Sequence, residues 1–287
     1  MLLYLFLAMQ AAAPPPATDI YVASLRVVDG RVQVGAPVNV TARPGYDNQP
    51  HFLPDGRAFL YTSIRADSQA DIYRYDLRTA TSVRLTATRE SEYSPTPLPD
   101  GTGFSAVRVE ADSTQRLWAF DWDGARSRLV LDSIKPVGYH AWGDGRSVAL
   151  FVLGSPPTLQ IADTRTPGAR GEIVARDIGR SLQRVPGREA IAFVQRDSAL
   201  GAWIKEVDLR THAVTPLVRA VDGADFFTWT PGGILLMARG TTLYQWNPRR
   251  GAAWEAVADF ATAGLTNVTR LAVSPSGDRL ALVAVPR

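Results

Sequence analysis

Cysteine is absent from all 287 residues. That removes thiol catalysis, thiolate metal sites, disulfides and a lipid-modified N-terminal cysteine from consideration, although it does not fix the compartment. Lysine is almost as scarce, Lys135 and Lys205 being the only two among 31 basic residues. Histidine occurs three times, at His51, His140 and His212. No G-x-S-x-G elbow is present, the nearest approach being Gly145-Arg146-Ser147-Val148-Ala149, which lacks the last glycine and reads as a strand. No apolar run is long enough to span a bilayer as a helix, and no RNA-binding or phosphate-cradling motif occurs. The net charge of +3 is small and spread along the chain, where a nucleic-acid surface would cluster it on one face. Arginine in place of lysine suits bidentate contacts with carboxylates at a protein-binding surface; base composition of the gene explains the same bias.

Against these absences stands a repeat. From Gln49 to Thr86, apolar runs broken at Pro54-Asp55-Gly56, Ala66-Asp67-Ser68 and Leu77-Arg78-Thr79 mark four short strands, one antiparallel unit. The first turn recurs as Pro99-Asp100-Gly101, Gly143-Asp144-Gly145, Val185-Pro186-Gly187, Pro231-Gly232-Gly233 and Pro275-Ser276-Gly277. Its spacing of roughly 42 to 46 residues is that of a propeller blade. A second marker keeps step: the third strand of each unit closes on Asp76, Asp121, Asp163, Asp208 or Asn247, side chains that fold back on the following N–H groups and start a turn.

The sixth copy of this marker is missing at the C-terminus and reappears at the other end. Asp19 to Leu25 resembles Asp71 to Leu77, and Val38 to Ala42 resembles Val83 to Ala87. The pattern predicts an all-β, six-bladed β-propeller with four antiparallel strands per blade. Its last blade combines Thr269 to Val273 and Arg279 to Val285 with two outer strands from the N-terminus. Such closure leaves no bare strand edge.

The wording of Pro50 to Thr86, P-x-F-x-P-D-G-R, then R-x-D-S-x-x-D-I-Y-x-Y-D-L-x-T and R-L-T, resembles the WD-like repeat of the TolB propeller and of the propellers joined to prolyl-oligopeptidase-type peptidases. The resemblance covers Asp19 to Arg287, through wording in blades one and two and through register in blades three to five. It implies the fold and little about function, because propellers host enzymes, receptors and scaffolds alike.

The expected organisation is a signal peptide over 1–13, a proline-rich spacer over 14–18 and the propeller over 19–287. Leu2 to Met9 is an apolar run followed by small residues suited to cleavage, so the chain is expected to be periplasmic or secreted. An uncleaved leader would make it membrane-associated instead.

Strand order places the Asp-Gly hairpins on one face of the disc and the crossovers between blades on the other. The Asp-Ser loops at 65–68, 110–113 and 195–198 share the crossover face, as Asx-turns or as a polar rim. Counting back from the turns puts Gln49, Ser94, Gly138, Arg180, Asp225 and Arg270 at the channel mouth, with Asp47 and Glu92 two residues earlier. Such a mixed-charge ring at a concave mouth suits a peptide or protein partner; hydration of a water-filled tunnel explains it equally. His51 and His140 occupy matching inner-strand positions and offer two metal ligands, but Thr96, Leu182 and Ala272 at the equivalent sites supply no third. No cofactor and no nucleic acid are expected. The leading expectation is a non-enzymatic interaction module binding a protein or peptide, for example from an envelope complex, through Asp47, Gln49, Glu92, Arg180, Asp225 and Arg270. The alternatives are a metal-dependent lyase or lactonase-type hydrolase and a structural subunit of a membrane-associated assembly.

Overall fold

The computed structural model describes residues 15–65, 68–166, 168–197, 201–251 and 253–286; the expected leader, 1–13, lies outside them. Six antiparallel sheets form a ring of blades. Blade one comprises Tyr46–Phe52, Ala58–Ile64, Ala70–Asp76 and Thr81–Arg84, in that order from the axis outward. Blades two to five repeat this arrangement, starting from the inner strands Ser91–Pro97, Val137–Trp142, Ile178–Arg184 and Phe227–Trp229.

The ring holds because each second strand is packed on both faces. Along Ala58–Ile64 every residue but the last is buried, and period-two alternation sends successive side chains to opposite neighbours. Phe59 and Tyr61 enter the cluster with Ile20, Ala281 and Val283 of blade six, whereas Leu60 packs with Phe104 and Ala106 of blade two. The same division holds in blade five, where Leu235 and Met237 face blade four and Leu236 and Ala238 face blade six. Each of the six blade-to-blade interfaces has its own cluster. The two-sided demand for apolar residues explains why these strands read as continuous hydrophobic runs.

Blade six is shared between the chain's two ends, as the repeat predicts. Asp19–Val28 pairs with Arg279–Pro286 from Asp19↔Ala284 to Ser24↔Arg279, and Val38–Asn39 adds the outer strand through Tyr21↔Asn39 and Val22↔Val38. Leu271–Val273 forms the inner one. Thr18, at the end of the expected spacer, is buried and makes a parallel bridge to Tyr46, so the seam also ties into blade one. One element departs from the repeat. Where the third strand should turn, near Leu25, it continues to Val28 and folds back through Asp29-Gly30 into Arg31–Val34. This hairpin covers blade five: Val32 N–H donates to Gln245 Oε1 at 2.7 Å, Asn247 Nδ2 to the Gly30 carbonyl at 2.9 Å, and the Val32 side chain packs with Ile234 and Leu236.

The turn markers behave as their chemistry requires, with two exceptions. Gly56, Gly101, Gly187, Gly233 and Gly277 have φ from +68° to +82°, the left-handed region that favours glycine. Gly145 does not: its loop is shorter, Gly143 N–H bonding the Ser147 carbonyl while Asp144 Oδ1 accepts from Arg146 and Ser147 N–H. Asp76, Asp163, Asp208 and Asn247 accept from the N–H two residues on. Asp121 instead pairs with Arg126. Of the Asp-Ser loops, 110–113 is an Asx-turn in which Asp112 Oδ1 accepts from Thr114 N–H; residues 66, 67 and 198 of the others lie outside the described residues.

Deleting residues 1–41 is expected to abolish the monomer. Arg279–Pro286 would then present a bare apolar edge, and light scattering coupled to size exclusion should show oligomers or aggregate. A truncated chain that stays monomeric with an unchanged melting temperature would show that the seam contributes nothing.

Candidate functional site at the central channel

The inner strands of blades one to four each lose register once, between Asn48 and His51, Tyr93 and Thr96, Val137 and Tyr139, and Ile178 and Leu182. These are bulges, which re-aim side chains where pairing breaks. In the first two, Gln49 and Ser94 have φ +59° and +56°, each followed by a proline with no N–H for the ladder. Gln49 Oε1 accepts from Thr62 Oγ1 and from Ser94 N–H, both at 2.7 Å, which joins the two bulges across the blade boundary. In blade four the bulge contains Gly179, where a Cβ would sit 2.9 Å from that of Val194, and it delivers Arg180 to the lumen.

Two cavities meet at these residues. A central tunnel of about 580 Å³ is lined by every blade, through Gln49, Ser94, Tyr139, Arg180, Phe226 and Arg270. On the crossover face a funnel of about 640 Å³ opens from the axis towards blades two and three. Gln49, Tyr139 and Arg180 line both and form the throat. Arg270 is held rigidly: its Nη2 donates to the Tyr139 hydroxyl at 3.0 Å, and its guanidinium lies 4.1 Å from the Phe226 ring centroid and 5.0 Å from that of Tyr139. Arg180 is exposed and has no hydrogen bond or ion pair among the described residues. Both guanidinium groups act on Tyr46, whose phenol burial pushes up to about 12, with Arg270 opposing the shift, Tyr139 and Tyr93 adding to it and Arg180 opposing it. The throat is therefore two cations among neutral phenols, equipped to donate hydrogen bonds to an anion.

The residues expected at the mouth divide sharply. Gln49, Arg180 and Arg270 lie in the tunnel wall, and Asp225 and Gly138 in the funnel. Asp47 and Glu92 reach neither. Both are fully buried: Asp47 accepts from Ser63 Oγ at 2.6 Å and contacts Arg43 Nε at 3.2 Å, while Glu92 accepts from Arg108 Nε at 3.0 Å and Thr88 Oγ1 at 2.7 Å. Burial pushes both carboxyl groups up, against the pull of those partners. Residues two apart share a face only in a regular strand, and the bulges between Asp47 and His51 and between Glu92 and Thr96 break that parity. Asp225 is neutralised too, with both carboxylate oxygens within 2.7 Å of Arg196 Nη2. The expected ring of mixed charge is thus corrected to a positive, aromatic throat. Its tyrosines went unnoticed in the sequence, although Tyr46, Tyr93 and Tyr139 each stand within three residues of a position expected at the mouth.

His51 is open to the lumen but sunk in the disc, and desolvation pulls its imidazole down to about 4. His140 is buried, and burial with the charge of His51 pulls it down to about 3. The Ser105 hydroxyl lies 2.7 Å from His140 Nε2, accepts from Trp142 Nε1 at 2.9 Å and reaches the Thr96 carbonyl at 3.2 Å. Its single proton goes either to the Thr96 carbonyl or to His140 Nε2, and His140 Nδ1 is left without a partner. No group of three or more potential ligands for a metal occurs among the described residues.

Fold and site define a six-bladed propeller with a cationic, tyrosine-lined channel. No family model and no curated protein matches the chain. Among solved structures it is similar to a TolB protein from Agrobacterium tumefaciens, at 17% identity over 93% of this chain and 98% of that one, with a TM-score of 0.70. It is also similar to TolB from Acinetobacter baumannii, at 15% identity and a TM-score of 0.58, covering 93% of this chain and only 63% of that one. An oligogalacturonate lyase in complex with manganese matches at 14% identity over 96% and 99% of the two chains, with a TM-score of 0.54. These likenesses establish a TolB-like propeller fold, one that an enzyme also adopts.

Two outcomes separate structural from exposed charges. Glu92→Ala strands Arg108 in the interior and should cost about 3 kcal/mol or more, with Glu92→Gln less damaging; Arg180→Ala should stay within about 0.5 kcal/mol. Denaturant unfolding measures both, and equal losses at the two sites would contradict the division. For the histidines, the folded chain stays neutral while the unfolded chain takes up protons near the ordinary 6.5. Their contribution to stability is therefore complete above 6.5 and is lost as pH falls towards 4 and 3. Residue-assigned imidazole resonances of His51 and His140 should hold still from pH 8 to 5. A midpoint near 6.5 at either would show that it is solvated.

Proposed function

We propose that this chain is an exported, non-enzymatic interaction propeller that takes a segment of a protein partner at its crossover face and channel mouth. The observation that supports it best is the throat itself, where Arg180 and a clamped Arg270 stand among three tyrosines at the meeting of two cavities. Tyrosine and arginine are the residues that most often anchor protein interfaces, and cavities of this size fall within the roughly 300–1,000 Å³ common for binding pockets. Export is supported by the apolar run Leu2 to Met9 with small residues after it, and we place the leader at 1–13, the spacer at 14–18 and the propeller at 19–287. A scaffold role within an envelope or membrane-associated complex follows from the same reading. The metal-dependent alternative has two imidazoles to offer among the described residues, His51 and His140, of which His140 is bonded to Ser105.

Affinity capture from a periplasmic extract tests the proposal, with the wild-type propeller as bait beside Arg180→Ala, Arg270→Ala and Asp225→Ala. The Arg180 variant should lose a partner at an unchanged melting temperature. Asp225→Ala, which frees Arg196, should retain it. Capture indifferent to all three changes would move the interface off the channel mouth.

A further inference from the structure

Two guanidinium groups, those of Arg180 and Arg270, line the tunnel, and neither has an ion pair among the described residues. Asp225, the carboxylate lining the funnel, is already bound by Arg196, and Asp47 and Glu92 are turned inward. Arg270 spends one donor on the Tyr139 hydroxyl and keeps the rest of its planar fork. Stacked over Phe226, it is preorganised, so little entropy is lost when it grips a second group. Arg180 has all its donors free, and the hydroxyl of Tyr46, on which both arginines act, has no hydrogen bond among the described residues. Unspent donors of Arg180 and Arg270 in the tunnel wall, with Tyr46 beside Arg180 in the funnel wall, fit a carboxylate, which accepts several charge-assisted bonds.

The funnel says what the carboxylate is attached to. Its lining towards blades two and three includes Val109, Phe151, Leu153 and Pro157 beside Gln115, and Leu153 is 41% exposed. Aliphatic side chains would find apolar contact there. A chain end also reaches the throat as a single strand, whereas an internal loop must bring two strands through the same opening.

We propose that the throat captures the C-terminal carboxylate of a peptide whose last residues are apolar, entering from the crossover face between blades two and three. The assignment rests on the protein-partner reading above and names the part of the partner that enters. Arg180 and Arg270 hold the carboxylate, and Val109 and Leu153 receive the side chains beside it.

Isothermal titration of the full propeller tests this with N-acetylated tetrapeptides ending in Leu-Val or Phe-Leu, as free acids and as C-terminal amides. The comparison arms are an amidated peptide carrying one internal Glu, and D-galacturonate. The free acids should bind, with the amides and the Arg180→Ala protein at least tenfold weaker, and Arg180→Lys intermediate. Equal binding of acid and amide, or binding of neither, overturns the assignment. Stronger binding of the internal-Glu peptide or of galacturonate also overturns it, by giving the site to another carboxylate. If the tetrapeptides fail while a protein partner is still captured through Arg180, the assignment falls and the interaction reading stands. If the acids bind through Arg180 and no protein is captured, the assignment stands without it.

Discussion

Burial of the second strand of every blade on both faces is the constraint on which the rest of this structure depends. A sheet with one wet face can stand alone at the end of a stack, but these sheets cannot, because their second strands have no wet side to offer. Ala281 and Val283 face blade one while Leu280, Leu282 and Ala284 face blade five. Opening the ring at any interface would expose one complete cluster, at about 1.5–3 kcal/mol for each large side chain uncovered. The seam is the vulnerable joint, since its two halves are far apart in sequence and must find one another. It carries extra fastening accordingly: the Thr18 bridge to Tyr46 on one side and the Asp29-Gly30 hairpin over blade five on the other.

Closure also creates the channel. Six inner strands converge on the axis, and four of them bulge there. The left-handed residues Gln49 and Ser94 are costly positions for side chains with a Cβ. They persist because Gln49 bonds Thr62 and the Ser94 backbone together. At blade five, Ser181 Oγ does similar work, spanning to the N–H and carbonyl of Phe227. These ties consume polar side chains that would otherwise solvate the lumen, while arginine, phenol and imidazole stay in its wall.

The fold was legible from the chain because its signals are periodic and local. A Gly at positive φ, an Asx acceptor two residues before its donor and an alternating apolar strand each report on a few residues at a time, and all recur every blade. The N-terminal strand could be placed in blade six for the same reason, since Asp19 to Leu25 repeats Asp71 to Leu77. The bulges were not legible. A bulge inserts a residue without a distinctive composition, and Gln49-Pro50 and Ser94-Pro95 mark it only in hindsight. Every orientation inferred past that point was at risk, which is why Asp47 and Glu92 were expected in the lumen and are buried. The hairpin at 27–34 was hidden because it replaces a turn with more strand of the same apolar character.

Formal charge was a poor guide to the site, and the reason is general. A net charge of +3 describes neither which acids are paired nor where the unpaired bases lie. Glu92 and Asp47 lower the count while being electrically invisible at the surface, each facing an arginine inside the protein. Asp225 does the same at the rim through Arg196. Subtracting these pairs leaves Arg180 and Arg270 as the charges at the throat, with Arg184 and Asp100 in the tunnel wall next to the hairpin turns, and the neutral state of His51 and His140 adds none. The potential at the throat is positive because the acids nearest to it have been used to hold blades together. The interactions that stabilise the ring thus set the sign of the ligand that its channel can accept.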